Sequence, residues 1–503
     1  MRFLACLLAA SLAFLPRAFA QDTTVPRFSP ALPPAPPPTL QSAPLPDLGD
    51  AGTSELTLQD ERRLGETVMR DIRRDPQYLD DPEIAEYLNS IGGRLVNAAP
   101  GARQDFEFFA IRESSINAFA LPGGFVGVNT GLLSASDNES EVASVLAHEI
   151  SHVTQRHIAR QIGIQKQMQT PMMLAMAAAI LLGRSRPDLA NGAMIAAQGS
   201  VIQSQLAYSR DFEREADRIG FQRLQSADFD VRAMAVFFEK LQRSTRIVDS
   251  GQVPGYLRSH PVTTERIADA QARAESVPYR QRADSIEYHL VRAKVRAEAA
   301  DPQDAIKQFR EAVNDRRYAN EPGARYGLAI AYLRAKDPKR AEAEVARLRA
   351  DKVASPMIDL LAARIRLALD DAPGALAMFR AALVRYPYRR SILYAQLDTL
   401  QSLNRFDEEL AALAEPLRLY PRDAKLHEAR ARSYAGLGKR LLQHQAQAEV
   451  YVLQGSLPAA IEQLQFAQSS GDGNFYENSV VDARLKELRT EHAREMKDAK
   501  KSR

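Results

Sequence analysis

Cysteine is almost missing from this chain: one in 503 residues, Cys6. That excludes a disulfide framework, a cysteine nucleophile and a thiolate metal site beyond the first few residues. His, Asp and Glu are left as the strong ligands for a transition metal. An excess of charge is missing too, since 66 Lys+Arg stand against 63 Asp+Glu for a net of +3. This balance lacks the basic footprint of a dedicated nucleic-acid binder. The marked apolar runs, 3–15 and 172–183, fall short of the ~20 residues that span a bilayer. With 45% hydrophobic and 26% charged residues, wholesale disorder is excluded. At ~150 residues per domain the length suggests about three folding units, or two large ones.

What is present begins with an address. Met1-Arg2, the apolar run from Phe3 to Leu15 and the small residues around Phe19 read as a secretory signal over 1–20, cut after Ala20. A lipoprotein cut at Cys6 is disfavoured because almost no apolar region precedes it. A mature chain without cysteine suits an oxidising compartment, and the periplasm is the expected location. Nine prolines in 21–53 favour extended backbone, so this segment reads as a linker. Helical apolar spacing then runs from Leu56 to about Val96 through Leu64, Val68, Ile72, Ile84, Leu88, Ile91 and Leu95. Phe106–Ile111, Asn117–Leu121 and Phe125–Asn129, with Pro122-Gly123-Gly124 as a turn, predict a small antiparallel sheet. Asp137-Asn138 caps a helix through Val142, Leu146, Ile150 and Val153. Residues 172–202 hold two apolar patches that suit a buried hairpin, or a peripheral membrane contact.

From about Arg282 the texture becomes Ala, Leu, Arg and Glu with internal repeats. Ala305, Phe309 and Ala312 are echoed by Ala341, Val345 and Leu348, by Ala375, Phe379 and Ala382, and later by Ala460, Leu464 and Ala467. The first three sets lie close to the ~34-residue period of tetratricopeptide repeats, and Pro387 and Pro421 fall where such repeats end. The domain plan is a mixed helix-and-strand body over 54–275, repeats over 280–475 and a charged helix or tail over 476–503.

The sharpest chemical signal is His148-Glu149-Ile150-Ser151-His152. At about 100° per residue the two histidines lie about 40° apart on a helix, one turn from each other. Both imidazoles can reach one Zn²⁺, with Glu149 beside them as a general base for a water molecule. His157 is about 180° from His148 on a continuous helix, so it reads as structural or supporting, not as a ligand. A catalytic zinc needs a third protein ligand. Glu213 and Asp217 share a helix face, with Glu215 nearly opposite, but spacing alone does not separate them from a solvated charged face.

Residues 117–124 (NAFALPGG), His148 to His152, Phe212 to Asp217, and Ser259-His260-Pro261 with Glu265-Arg266-Ile267 stand in the order of one zinc peptidase family. The chain resembles that family, which contains the HtpX heat-shock protease and the CAAX prenyl protease. The resemblance implies an α+β, zincin-like metalloprotease domain, mostly helical with a small antiparallel sheet, followed by an all-α tetratricopeptide-repeat solenoid. It implies one Zn²⁺ per chain on His148, His152 and Glu213, with Asp217 accepting a hydrogen bond from a ligand histidine and fixing its tautomer. It places His260 near the metal, either donating to a developing oxyanion or filling the open coordination site. Asn117, Ala118, Phe119 and Ala120 are expected to pair with an extended substrate.

The function so implied is a periplasmic zinc endopeptidase acting on unfolded or misassembled envelope proteins. Its partners by resemblance are those clients and the outer-membrane β-barrel assembly machinery. A repeat-based chaperone or adaptor, with a regulatory zinc site, is the competing class.

Overall fold

The structure is a computed structural model, and it describes residues 56–98, 105–164, 209–247, 256–257 and 260–501. The expected signal over 1–20, the expected linker over 21–53 and the apolar patches of 172–202 lie outside these residues.

The first helix, α1 (Leu58–Ile72), starts on a capping box in which Thr57 and Asp60 satisfy each other's backbone donors. Its buried face is Glu61, Gly65 and Met69 rather than the expected line through Leu64, which is 41% exposed. Close approach decides this face. A Cβ on Gly65 would lie 2.0 Å from the Pro122 carbonyl oxygen and 2.8 Å from the Phe125 ring. After the short strand β1 (Tyr78–Leu79), α2 (Pro82–Asn97) begins with Asp81 as cap and Pro82 at its first turn. Ile84, Leu88, Ile91 and Leu95 of α2 are buried in the core, as their spacing predicts.

The sheet corrects one expectation. It holds β1, β2 (Glu107–Ile111), β3 (Ala118–Leu121) and β4 (Phe125–Asn129) in the order β1-β2-β4-β3. It is mixed, not wholly antiparallel: β2 and β4 run parallel, with Glu107 opposite Phe125 and Ile111 opposite Asn129. Burial explains the order. Every residue of β4 is buried, so it takes a central place. Only Ala118 of β3 is buried, and β3 is the outer strand. The β3–β4 turn needs glycine, with φ of 77° at Gly123 and 91° at Gly124.

A short helix, α3 (Thr130–Ala135), leads to α4 (Glu139–Thr154). Asn138 caps α4 through the Glu141 amide at 3.0 Å. Almost every residue of α4 is buried, so this is a core helix with no solvent face. It stops at Gln155, and Arg156 takes φ 55°. Helix α5 over 157–164 therefore starts in a new direction. Helix α6 over 209–226 lies against α4, where a Cβ on Gly220 would be 3.2 Å from the Ala147 and His148 backbone. Helices α7 (Arg232–Ile247) and α8 (Thr264–Glu275) complete this body.

The remainder is a solenoid of paired helices. First helices begin at residues 286, 321, 356, 390, 424 and 457, and second helices at 302, 338, 372, 406, 440 and 475. Sets such as Ala305–Phe309, Ala341–Val345–Leu348 and Ala375–Phe379–Ala382 are buried on second helices. Ala460, Leu464 and Ala467 are buried as well, but on a first helix. The long last helix (Phe475–Lys501) buries Val481, Leu485 and Leu488 as the second member of the sixth pair. The turns inside four successive pairs each place one residue at positive φ: Lys336, Asp370, Asn404 and Gly438.

Candidate metal centre

Four side chains meet between α4, α6 and the segment before α8. His148, His152, Glu213 and His260 each offer a donor atom, and these atoms all lie within 4.8 Å of one another. His148 Nε2 is 3.0 Å from His152 Nε2 and 3.3 Å from Glu213 Oε2. His152 Nε2 is 3.4 Å from Glu213 Oε1. His260 brings its Nδ1 to 2.9 Å from Glu213 Oε1 and 3.3 Å from His148 Nε2. The pair on α4 meets through the one-turn spacing. Glu213 arrives because Gly220 and the fully buried Ala216 let α6 close on α4.

Asp217, one turn beyond Glu213, sets its Oδ1 2.9 Å from His148 Nδ1. Nδ1 therefore carries a proton in either charge state of the ring, and Nε2 is the nitrogen left to meet a metal ion. Arg266 grips both acids. Its Nε and Nη2 reach Asp217 at 2.6 and 2.8 Å, and its Nη1 reaches Glu213 Oε2 at 2.9 Å. It also donates to the Pro261 carbonyl at 2.9 Å, which ties the His260 loop to the same clamp. In the sequence, Arg266 is visible only as part of a motif. Its two-forked role is visible only once α8 is folded against α6.

Electrostatics follow from burial. Desolvation opposes charge on His148, but hydrogen bonds donated to Asp217 and Glu213 overcome it and raise the imidazole to about 10, so a metal ion would displace its Nε2 proton. Burial dominates at His152 and lowers it to about 3. Glu213 is buried, yet the three surrounding histidines hold its carboxyl well below the usual range. Glu149 is 1% exposed and is pushed up by burial, with the Ala120 backbone acting the other way. His260 Nε2 approaches Glu149 Oε1 at 3.5 Å. Tyr256 packs its ring 4.8 Å from that of His260, and its carbonyl accepts the His260 amide at 2.7 Å.

The donor set fits a divalent metal ion. His148 Nε2, His152 Nε2 and the Glu213 carboxylate converge on one another at 3.0–3.4 Å. A divalent cation can take the place of the His148 Nε2 proton, and the ligand types suit a borderline metal. Of the expected Asn117–Ala120 segment, Ala118, Phe119 and Ala120 lie in β3 with Asn117 just before it, and the Ala120 backbone faces Glu149. His157 departs from its expected place. The break at Arg156 turns it back, so its Nδ1 lies 2.8 Å from His152 Nδ1 rather than across the helix.

Residues 82–274 match the model of Peptidase family M48. The Escherichia coli K12 beta-barrel assembly-enhancing protease is 30% identical over 449 residues, covering 88% of this chain and 91% of that protein. The chain belongs to this family. It is a metallopeptidase. A Vibrio cholerae relative is 38% identical over 300 residues, 59% of this chain and 62% of its own length. Further off, the mitochondrial metalloendopeptidase OMA1 of Arabidopsis thaliana is 30% identical over 233 residues, 45% of this chain and 44% of that protein. Among the described residues, no helix is long and apolar enough to cross a membrane.

Proposed function

We propose that this M48 peptidase is a zinc endopeptidase of the periplasm, acting on unfolded or misassembled outer-membrane proteins. His148, His152 and Glu213 would hold the zinc ion, one per chain. Tetrahedral zinc with bonds of about 2.0–2.1 Å has donor–donor edges of about 3.3–3.4 Å. The 3.0, 3.3 and 3.4 Å separations among these donors support that choice. When bound, the ion supplies Lewis-acid polarisation of a peptide carbonyl and lowers the pKa of water.

Glu149 is the general base and then the acid. A desolvated carboxylate pushed above its usual range accepts a proton from water and returns it to the leaving amine. Asp217 keeps His148 in the tautomer that presents Nε2, and Arg266 holds Asp217 and Glu213 in register. His260, with Nδ1 inside the donor group, would occupy the position left open by the three ligands and act as a latch. Removing it should therefore raise turnover.

Substrate enters along β3. Asn129 N–H donates to the Asn117 carbonyl at 3.0 Å, and this register aims the peptide groups of Ala118 and Ala120 away from β4. An extended chain can add there as a strand beside Glu149. Only unfolded segments offer such backbone, which matches the proposed clients. The names of the Yersinia pestis and E. coli relatives, covered over 91% of their length, support an outer-membrane assembly context. The domain plan of peptidase over 54–275 and repeats over 280–475 assigns client capture to the repeats. The competing reading is a repeat-based chaperone with a regulatory metal.

The single observation that carries the proposal is the convergence of His148, His152 and Glu213 beside a buried Glu149. The test is cleavage of a urea-unfolded outer-membrane β-barrel by the purified mature chain. Wild type should cut it, and Glu149→Gln should bind zinc without cutting. Cleavage by Glu149→Gln at the wild-type rate would refute the mechanism. Rescue of a deletion strain by that variant would favour the chaperone reading.

A further inference from the structure

His152 differs from His148 in what stands behind it. A metal-binding imidazole normally gives its remote N–H to a carboxylate or a carbonyl oxygen. For His148 that acceptor is Asp217. For His152 it is a second imidazole: Nδ1 of His157, at 2.8 Å. His157 is 3% exposed, and its other nitrogen, Nε2, lies 3.2 Å from Glu215 Oε2. Arg160 donates to the same Glu215 oxygen at 2.8 Å. The His157 ring stacks on Phe212 at 4.6 Å with a 14° tilt, and the Arg160 guanidinium covers that ring at 4.7 Å.

The proton positions along this line are fixed by one condition. If His152 Nε2 presents its lone pair to a metal, Nδ1 must carry the proton. It then donates to His157 Nδ1, which must be the acceptor. His157 is left protonated on Nε2, and that N–H points at the Glu215 carboxylate. Every donor meets an acceptor, and the line ends on a negative charge partnered by Arg160. The break after α4 makes this possible. Arg156 at positive φ swings His157 back, and Arg156 is itself anchored by Glu61 of α1, Nε to Oε1 at 2.7 Å.

We propose that His157 and Glu215 are positioning residues for the metal centre, forming an imidazole–carboxylate relay that orients His152 and sets its tautomer. The proposal rests on the reading of His148, His152 and Glu213 as the metal ligands. Glu215, which lies nearly opposite Glu213 and Asp217 on the helix, thereby gains a role of its own. One α6 face supplies a metal ligand and the support for His148, and the other supplies the support for His152.

The test reads zinc affinity, by competition with a chromophoric chelator, and the visible spectrum of the Co²⁺-loaded protein. His157→Phe keeps the stacking on Phe212 but removes both hydrogen bonds. His157→Gln keeps an acceptor for His152 and a donor for Glu215. His157→Phe should weaken zinc binding by about 10–100-fold and alter the Co²⁺ bands, whereas His157→Gln should stay within a few-fold of wild type. Glu215→Gln, which changes no volume, should weaken binding several-fold. Far-UV circular dichroism of the metal-free proteins checks the fold, and should His157→Phe not fold, Glu215→Gln carries the test. Wild-type affinity in the folded His157→Phe, or in Glu215→Gln when that variant carries the test, would overturn the relay. So would equal weakening of the Phe and Gln variants at His157, since packing alone would explain it. Absence of zinc binding in wild type would instead overturn the metal centre itself.

Discussion

At the scale of single residues, the centre is a set of charges that only one another can balance. Asp217 and Glu213 are buried at 6% and 5% exposure, and Arg266 faces both. Removing the cation leaves two buried carboxylates with histidine partners alone, and breaking such a set costs about 3–5 kcal/mol. Arg266→Met should therefore lower the stability of the metal-free protein by that order, read by urea unfolding, and weaken metal binding too. His260→Ala should behave differently. His260 contacts Glu213 but is not one of the three proposed ligands, so the variant should keep zinc and raise peptidase turnover severalfold, measured on an unfolded β-barrel protein. Unchanged turnover would remove the latch. The His148-Glu149-His152 signal was legible because its spacing is its geometry. The role of Arg266, and the turn that brings His157 to His152, were not. Both depend on where separate helices dock, and a residue at positive φ that is not glycine leaves no mark in the sequence.

At the scale of elements, β3 carries the proposed substrate pairing. Its outer peptide groups lie at Ala118 and Ala120, and Ala120 faces Glu149. Ala120→Pro removes one N–H without touching a proposed metal ligand. We expect kcat/KM on unfolded protein to fall by at least about tenfold with zinc content unchanged, and equal kinetics would mean substrate does not pair there. The strands themselves could be read from β-prone runs and from Pro122-Gly123-Gly124. The parallel pairing of β2 with β4 could not. It follows from β4 being buried along its whole length, a property of the assembled layers. In α1 the same limit applies, since Gly65 and Glu61 face inward to meet Pro122 and Arg156. Apolar periodicity pointed to Leu64 instead.

At the scale of the whole molecule, acidic residues near the start of α2 tie the solenoid to the peptidase body. Buried Lys294 meets Glu83 at 2.6 Å and Asp81 at 2.9 Å, and Arg364 adds a contact to Glu83 at 3.1 Å. Further along, Ser391 donates its N–H and its hydroxyl to Glu86, both at 2.8 Å. Asp81 is half-buried, which favours its neutral form, but Lys294 outweighs this and holds its carboxyl below the ordinary 3.8. Its contribution is thus complete above about 4 and lost as acid passes through the lowered value. Metal-free protein should lose part of its thermal stability below that pH, and Lys294→Met should show a smaller loss. An identical pH profile in the two proteins would exclude this tie. The repeat period was legible in spacings near 34 residues. The charged tie was not, because it joins residues more than 200 positions apart.

The claim beneath all three scales is a metal ion held by two imidazoles of one helical turn and a carboxylate from another helix. Metal analysis of the purified mature chain beside Glu213→Gln tests it most directly. The account predicts close to one zinc per wild-type chain and a large loss in the variant. Wild-type protein that stays metal-free after incubation with zinc, or equal zinc in both, would contradict it.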